Sequence, residues 1–215
     1  MERSGVDGAP SRRRDKDQTM RAILDAGLVV LADRGFQLFG VNEVARQAGC
    51  DKQLIYRYFD GLGGLVDAMA ERLAGDLTAA LSALAPSAPF TDYGALVEHQ
   101  VLAVADLTRE TPLLARIAAW ELAEPSDLAA RLVDTRGRRL AAWAADLRGG
   151  LSPPAGVDAP ALNALLIGAA QTAAAASLTQ GRLAGLTLAD DAGWARVRSG
   201  LSALVRGVYG GAARA

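Results

Sequence analysis

Two short helical patterns separated by a single glycine turn constrain this chain more than any other feature. The first covers Val41–Ala48 and the second covers Lys52–Phe59. Gly49 follows the first pattern, where a left-handed residue ends a helix at low cost. Asp51 precedes the second and can cap it by accepting a backbone N–H. A helix, a tight turn and a second helix form the layout of a helix-turn-helix, which indicates DNA recognition.

The apolar residues of this segment predict which helix faces turn inward. Val44, Ala45, Ala48, Ile55 and Phe59 can all face a common core, and the small alanines allow the two helices to approach closely. The remaining side chains are free to face a DNA groove. The candidate DNA-binding residues are therefore Asn42, Arg46, Lys52, Gln53, Leu54, Tyr56, Arg57 and Tyr58.

The chemistry of these side chains suggests two kinds of contact. Gln53 can pair bidentately with adenine, Lys52 can donate to guanine, and Leu54 can touch a thymine methyl group. Tyr56 and Tyr58 can donate hydroxyl hydrogen bonds to phosphate, although Tyr58 is alternatively a packing residue.

Three further positions suit the DNA backbone. Asn42 lies near a helix N-terminus and is a candidate phosphate ligand. Arg46 and Arg57 can add phosphate contacts or remain solvated surface charges.

Cys50 in the turn is interpreted as a small buried apolar residue, with a redox switch as the alternative.

Residues 17 to 70 resemble the TetR family of transcriptional regulators. The resemblance is carried by Met20–Gly27, Leu31–Phe36, Val44-Ala45, Ala48-Gly49, Ile55–Phe59 and Leu65, in this order and at this spacing. It implies an all-α fold with an N-terminal three-helix DNA-binding domain and a C-terminal helical domain for ligand binding and dimerisation. It also implies that Tyr56 and Tyr58 contact phosphate.

The segment departs from the family pattern at three places. Gly40 stands where Thr or Ser usually meets a phosphate at the start of the first motif helix. Leu62-Gly63 stand where Lys-Glu is usual, which removes a second phosphate contact. Gln53 replaces a small residue and can reach a base edge, so a different base readout is expected.

Composition limits the other functional classes. The chain has 215 residues, 51% hydrophobic content and a net charge of −1, so it is not a globally basic DNA binder. A single cysteine excludes an internal disulfide, and one histidine far from it offers no catalytic or metal-binding cluster. We expect no enzymatic activity, no cofactor and no metal.

The polar N-terminus contains no signal peptide pattern, and the uncharged run from Asp158 to Arg182 is too polar to favour a membrane span, so a cytoplasmic protein is expected.

The periodicity along the chain predicts three regions. Residues 1–15 are expected to be a disordered basic arm or a solvated tail, residues 16–62 the DNA-binding domain, and residues 63–215 the ligand-binding and dimerisation domain. Helix one is expected over about 16–33. The later helices are expected at about 64–84, 91–108, 112–122, 126–147, 158–180 and 189–209, with no useful strand pattern.

The last two helices are expected to form a homodimer interface. Their apolar seams repeat every three or four residues and include small side chains, although packing within one chain would give the same pattern. The resemblance implies a four-helix bundle between two subunits. A twofold dimer would place its recognition helices about 34–36 Å apart, so the DNA partner should be a near-palindromic duplex.

The resemblance also implies a small-molecule cavity among the middle helices. Candidate ligand-binding residues there are His99, Leu102, Leu113, Trp120 and Trp143. Their character favours an apolar or aromatic effector, although an ordinary core shows the same bias. The favoured function is a dimeric repressor that such a ligand releases from DNA, with the helix at 64–84 as the link. The alternative is a helical ligand-binding or scaffolding dimer with weakened DNA binding, motivated by Gly40 and Leu62.

Overall fold

The computed structural model describes residues 9–210, with side chains described from residue 14 onward. This part of the chain is almost entirely helical, as the sequence predicts. Its helices are α1 (Ala9–Arg34), α2 (Val41–Ala48), α3 (Lys52–Phe59), α4 (Leu62–Ala83), α5 (Tyr93–Glu110), α6 (Pro112–Ala123), α7 (Asp127–Arg148), α8 (Ala159–Thr179) and α9 (Asp191–Tyr209).

The two motif helices have the predicted bounds because their ends are specified locally. Gly49 closes α2 in the left-handed conformation, with a φ of 64°. The carboxylate of Asp51 caps α3 by accepting the backbone N–H of Gln53 at 2.8 Å. Gly40 precedes α2 in an extended conformation and provides no side-chain cap.

The first helix begins earlier than the periodicity predicts. It starts at Ala9 rather than near residue 16, so it includes the later part of the predicted arm. Pro10 is acceptable in a first turn, and the Arg, Lys and Gln residues that follow have good helix propensity. The rest of the predicted arm, residues 1–8, lies outside the described residues.

A two-residue hairpin joins α8 to α9. Strand β1 (Arg182–Leu183) pairs antiparallel with β2 (Leu186–Thr187), with Arg182 opposite Thr187. The turn residues Ala184 and Gly185 both have positive φ values, 47° and 84°, as a tight hairpin turn requires. Strands this short carry no alternating pattern, which is why the sequence did not predict them.

The chain forms two compact units. One extends to Leu73 and includes Trp120–Thr135, and the other comprises Ala74–Ala119 with the residues from Arg136 onward. The predicted domain division at residue 62 lies at the start of α4, whereas the two units divide within that helix. The sequence did not predict that residues 120–135 belong to the N-terminal unit.

The N-terminal unit has its own apolar core. Residues from four helices are almost completely buried there, namely Ile23, Leu31, Val44, Ile55, Leu65, Val66 and Met69. Gly27 allows a close approach, because a Cβ at that position would lie 2.7 Å from the sulfur of Met69. This core positions α3 with one face turned outward.

The second unit is built around α5, α8 and α9. Its core combines Val97, Val101 and Ala105 of α5 with apolar residues of the last two helices, which are Leu166, Ala170, Ala173, Ala174, Trp194, Leu201, Val205 and Tyr209. Trp194 donates its indole N–H to Asp106 at 2.9 Å, which satisfies the polar edge of this large side chain.

Among the described residues, α8 alone is long and apolar enough to cross a membrane by length and composition. The helix is rich in alanine, and its buried residues pack against α5 and α9. We therefore interpret it as a helix of the bundle, as the sequence suggested.

Candidate nucleic-acid interface

The outer face of α3 carries a continuous set of polar and aromatic side chains. Lys52, Gln53, Tyr56 and Arg57 are exposed. Tyr56 is the large aromatic residue of this face, and 57% of its surface is accessible to solvent. Ile55 is completely buried on the opposite face. The predicted division of this helix into an inner and an outer face is present in the structure.

Tyr58 lies at the edge of this face, beside two cations. It is half-buried, the Nζ atom of Lys16 lies 5.6 Å from its ring centroid, and the guanidinium of Arg57 lies 5.9 Å from it. Leu54 is also half-buried. Cation–π contacts of this kind orient basic side chains without neutralising them, so their charge stays available to an anion.

A shallow polar groove of about 360 Å³ opens beside Tyr58. It is lined by Lys16, Thr19, Arg57 and Tyr58 together with Asp15. The Thr19 hydroxyl already donates to the Asp15 carbonyl at 2.8 Å, so Lys16, Arg57 and the Tyr58 hydroxyl are the groups here that suit contact with a phosphate backbone. The sequence reasoning did not select Lys16 or Thr19, although Lys16 is one of only two lysines in the chain.

On α2, the two predicted residues have different surroundings. Asn42 is exposed in the first turn of the helix. Arg46 makes a double contact with Glu43, at 2.5 Å and 3.1 Å, and Arg34 lies 3.4 Å from the same carboxylate. The hydrogen bond from Arg46 lowers the pKa of Glu43. Because the Glu43 carboxylate already binds Arg46, a phosphate would have to compete with Glu43 to contact this arginine.

The turn residue Cys50 is half-buried, and its backbone N–H donates to the Ala45 carbonyl at 3.0 Å. Burial raises the pKa of its thiol, and the neighbouring Asp51 carboxylate adds to the effect. The thiolate is the reactive form, so this environment favours a packing role over a redox switch.

The end of α6 holds the segment that leads into α2. One carboxylate oxygen of Glu124 accepts the backbone N–H groups of Phe36 and Gln37, at 2.6 Å and 3.1 Å. The indole N–H of Trp120 donates to the Ala32 carbonyl at 3.0 Å. Gly35, with a φ of 72°, permits this approach because a Cβ there would lie 2.5 Å from the Glu124 oxygen.

A second connection within the same unit joins α4 to α7. The guanidinium of Arg131 donates to both oxygens of Asp67, at 2.8 Å and 2.5 Å. Both side chains are largely exposed, so the pair contributes orientation more than stability. Residues 120–135 therefore make hydrogen bonds within the N-terminal unit, although they lie outside the three predicted DNA-binding helices.

The second unit contains a small internal cavity of about 80 Å³. Its apolar lining comes from α4, α5, α6, α7 and α8, through Leu77, Leu81, Val104, Leu107, Leu114, Ala118, Leu140 and Ile167. Thr108, Arg136 and Gln171 supply its polar groups. This volume is below the roughly 300–1,000 Å³ of typical ligand sites, so a ligand of ordinary size would have to displace side chains.

None of the five predicted ligand residues lines this cavity. His99 packs against Phe90, with ring centroids 5.2 Å apart, and Trp143 donates to the Ser82 hydroxyl at 2.8 Å. Leu102 packs on the edge of the α5–α8–α9 core, and Leu113 is half-buried on α6. Trp120 belongs to the N-terminal unit. The structure does not bring the five together at this cavity.

Comparison with known proteins identifies the N-terminal segment. Residues 23–69 match the family model described as bacterial regulatory proteins, tetR family. No curated protein matches the chain.

Solved structures with the same fold cover nearly the whole chain. A TetR family transcription regulator from Marinobacter aquaeolei VT8 is 20% identical, with a TM-score of 0.63 over 90% of this chain and 97% of that one. Bacillus subtilis FadR in complex with stearoyl-CoA is 17% identical, with a TM-score of 0.62 over 87% and 98%. Salmonella enterica GusR is 17% identical, with a TM-score of 0.62 over 89% and 95%.

The family model confirms the resemblance of residues 23–69 to the TetR family, and the solved structures confirm the predicted all-α fold. About nine-tenths of this chain shares the fold of these solved structures.

Proposed function

We propose that this chain is a homodimeric, sequence-specific repressor that a small apolar or aromatic ligand releases from a near-palindromic DNA site in the cytoplasm. The observation that carries the proposal is the exposed face of α3, where Lys52, Gln53, Tyr56 and Arg57 project from a rigid helix in a TetR-type DNA-binding segment. Such a face suits the major groove of duplex DNA.

The side chains on this surface would divide the work of recognition. Gln53 and Lys52 would read base edges, and Leu54 would contact a thymine methyl group. Tyr56, Tyr58, Arg57, Asn42 and Arg46 would contact phosphates, with Lys16 added by the groove beside Tyr58. These phosphate contacts would compensate for the hydroxyl and lysine that are replaced by Gly40 and Leu62.

An uncharged stripe on α8 supports dimerisation. The exposed residues Ala161, Ala164, Leu165, Gly168, Ala169 and Thr172 follow one another at helical spacing, and Leu165 is 70% exposed. Isolated exposed leucines are common, but a stripe of small side chains around one leucine suits close packing against another helix.

A similar stripe on α9 continues the argument. Ser199, Gly200, Ala203, Leu204 and Gly207 are exposed, and Leu204 is 56% exposed. Two stripes of this kind from each subunit would build a four-helix interface. The remaining apolar residues of the predicted seams, such as Leu166 and Leu201, already pack inside one chain.

Ligand control would follow from the cavity in the second unit. A ligand that widens this cavity would favour a different arrangement of the helices around it, and its preference for that arrangement would lower DNA affinity by at most the same free energy. Helix α4 supplies Leu77 and Leu81 to the cavity and begins at Leu62, directly after α3. The apolar lining supports an apolar ligand.

The proposal is tested by selecting bound duplexes from a random DNA library with the purified protein. A palindromic motif, bound with an affinity that falls steeply with salt, is the expected result. Failure to enrich any motif, from protein that is folded, dimeric and freed of small molecules by refolding, would contradict it.

The second candidate function is a ligand-binding or scaffolding dimer with weakened DNA binding. It is favoured by Gly40, which places no side chain at the start of α2, and by Leu62 at the start of α4. Duplex binding that is absent or insensitive to salt, together with ligand binding, would support this alternative.

A further inference from the structure

We propose that the internal cavity continues into a surface groove and that the two together bind an elongated apolar chain ending in an anionic head group. The groove has a volume of about 350 Å³ and is lined by residues of α5, α7 and α8 together with Pro153 of the loop between α7 and α8. The inference deepens the proposed ligand control by naming the ligand class, but binding itself can be tested without DNA.

The cavity and the groove follow the same three helices in succession. On α5, Gln100 of the groove lies one turn before Val104 of the cavity, and on α8 Asn163 lies one turn before Ile167. On α7, the groove residue Ala144 lies one turn after the cavity residue Leu140. Because residues four apart lie on one helix face, the two spaces adjoin end to end.

The combined length fits a chain rather than a compact ring. The lining of α5 extends from Leu96 in the groove to Thr108 in the cavity, which corresponds to about 18 Å along the helix axis. The groove exists because α7 presents only Ala141, Ala144 and Ala145 to it before Arg148 at its end. Side chains this small leave a trough that a methylene chain can fill.

The open end of the groove is polar and carries a positive charge. Arg148 is exposed there, and it makes no ion pair among the described residues. Asn163 donates to the Tyr93 hydroxyl oxygen at 3.0 Å and accepts from the Tyr209 hydroxyl at 2.7 Å. This leaves the Tyr93 O–H free to donate. A guanidinium and a held hydroxyl donor are the groups that recognise a carboxylate or a phosphate.

The test uses isothermal titration calorimetry on the full-length protein with three probes that share one chain length. Dodecanoate and dodecyl phosphate, kept below their micelle concentrations, and dodecan-1-ol, kept below its solubility limit, separate the contribution of the chain from that of the head group. We expect both anions to bind more tightly than the alcohol. Tighter binding of the phosphate would identify a phosphate-type head, and tighter binding of dodecanoate a carboxylate.

Matched variants separate the head-group site from the trough. Arg148→Gln should weaken anion binding by roughly tenfold or more while leaving the alcohol unchanged, since it removes one charge-assisted contact. Arg182→Gln, which removes an exposed guanidinium on β1, is the control. Ala144→Leu should abolish binding of all three probes by filling the trough, whereas Ala142→Leu on the exposed face should not.

Equal affinity for the anions and the alcohol would overturn the proposal, as would an Ala144→Leu variant that is folded and binds normally. Measuring DNA affinity on the same samples keeps the two proposals separate. A protein that binds dodecanoate through Arg148 but enriches no DNA motif would retain this inference and refute the repressor function.

Discussion

Glu124 holds the backbone of Phe36, a residue 88 positions away, by accepting its N–H at 2.6 Å. The same oxygen accepts the N–H of Gln37, so one carboxylate fixes two consecutive peptide groups between α1 and α2. These residues lead directly into the motif that presents α3. Glu124 is therefore a positioning residue for the DNA-binding surface although it lies outside the three motif helices.

Replacing Glu124 by alanine should destabilise the protein by about 1–3 kcal/mol, because two backbone donors lose their acceptor and Phe36 is buried. Glu124→Gln should recover most of this loss, since its amide oxygen can still accept. Urea unfolding measures the effect. Glu110→Ala, which removes an exposed carboxylate at the end of α5, is the matched control and should change little. Wild-type stability in Glu124→Ala would contradict the role.

Substitutions on α3 should separate base reading from phosphate contact. Gln53→Ala should reduce affinity for the selected site by about 1–3 kcal/mol and leave random duplex nearly unaffected. Tyr56→Phe should weaken binding to both duplexes by a similar factor, because a phosphate contact is independent of sequence. Fluorescence anisotropy with the two duplexes measures both effects. Equal losses on both duplexes for Gln53→Ala would reject its base-reading role.

Leu165→Glu should convert the proposed homodimer into monomers, since it would place like charges close together across a twofold interface. Sedimentation equilibrium measures the change. Leu122 on α6 is even more exposed, at 87%, and lies outside the proposed interface, so Leu122→Glu should leave the dimer intact. Dimers of unchanged affinity in Leu165→Glu would exclude the α8 stripe from the interface.

The folded protein should lose stability in mild acid through His99. Burial lowers the pKa of this histidine from 6.5, and its Nε2 has no hydrogen-bond partner among the described residues. The folded state therefore favours neutral imidazole, and the unfolded chain takes up the proton first as pH falls. The contribution is complete above the unfolded pKa and is lost as pH falls from 6.5 toward the lower folded value.

His99→Gln should reduce this dependence. Its free energy of unfolding should fall less than that of the wild type between about pH 7.5 and about pH 5.5, a window around the ordinary histidine pKa. Urea titrations at both pH values measure the difference. Parallel losses in the two proteins would assign the acid sensitivity to other groups.

The helix-turn-helix could be predicted to the residue because its signals are local. Gly49 and Asp51 specify the ends of α2 and α3 within a few positions, and Ile55 and Phe59 fix the buried face. The start of α1 was predicted less well, since the polar residues before residue 16 carry no apolar periodicity even though they are compatible with a helix.

The residues that line the cavity could not be identified from the sequence. In the middle helices, the apolar and aromatic residue types that fill the core are the same types that line a cavity. His99, Trp120 and Trp143 are each used in a separate packing contact, while ordinary residues such as Leu77 and Ile167 line the cavity. No property of the side chain itself distinguishes the two uses.

The sequence by itself determined the elements whose causes lie within one or two helical turns, namely the helices, the turn at Gly49 and the polar face of α3. Tertiary structure alone decided which distant residues meet. It placed Glu124 on Phe36, and it divided the apolar residues of α8 so that Leu166 is buried within the chain while Leu165 remains exposed. The physical reason is that helical periodicity shows that a face is apolar, but only packing decides which surface covers it.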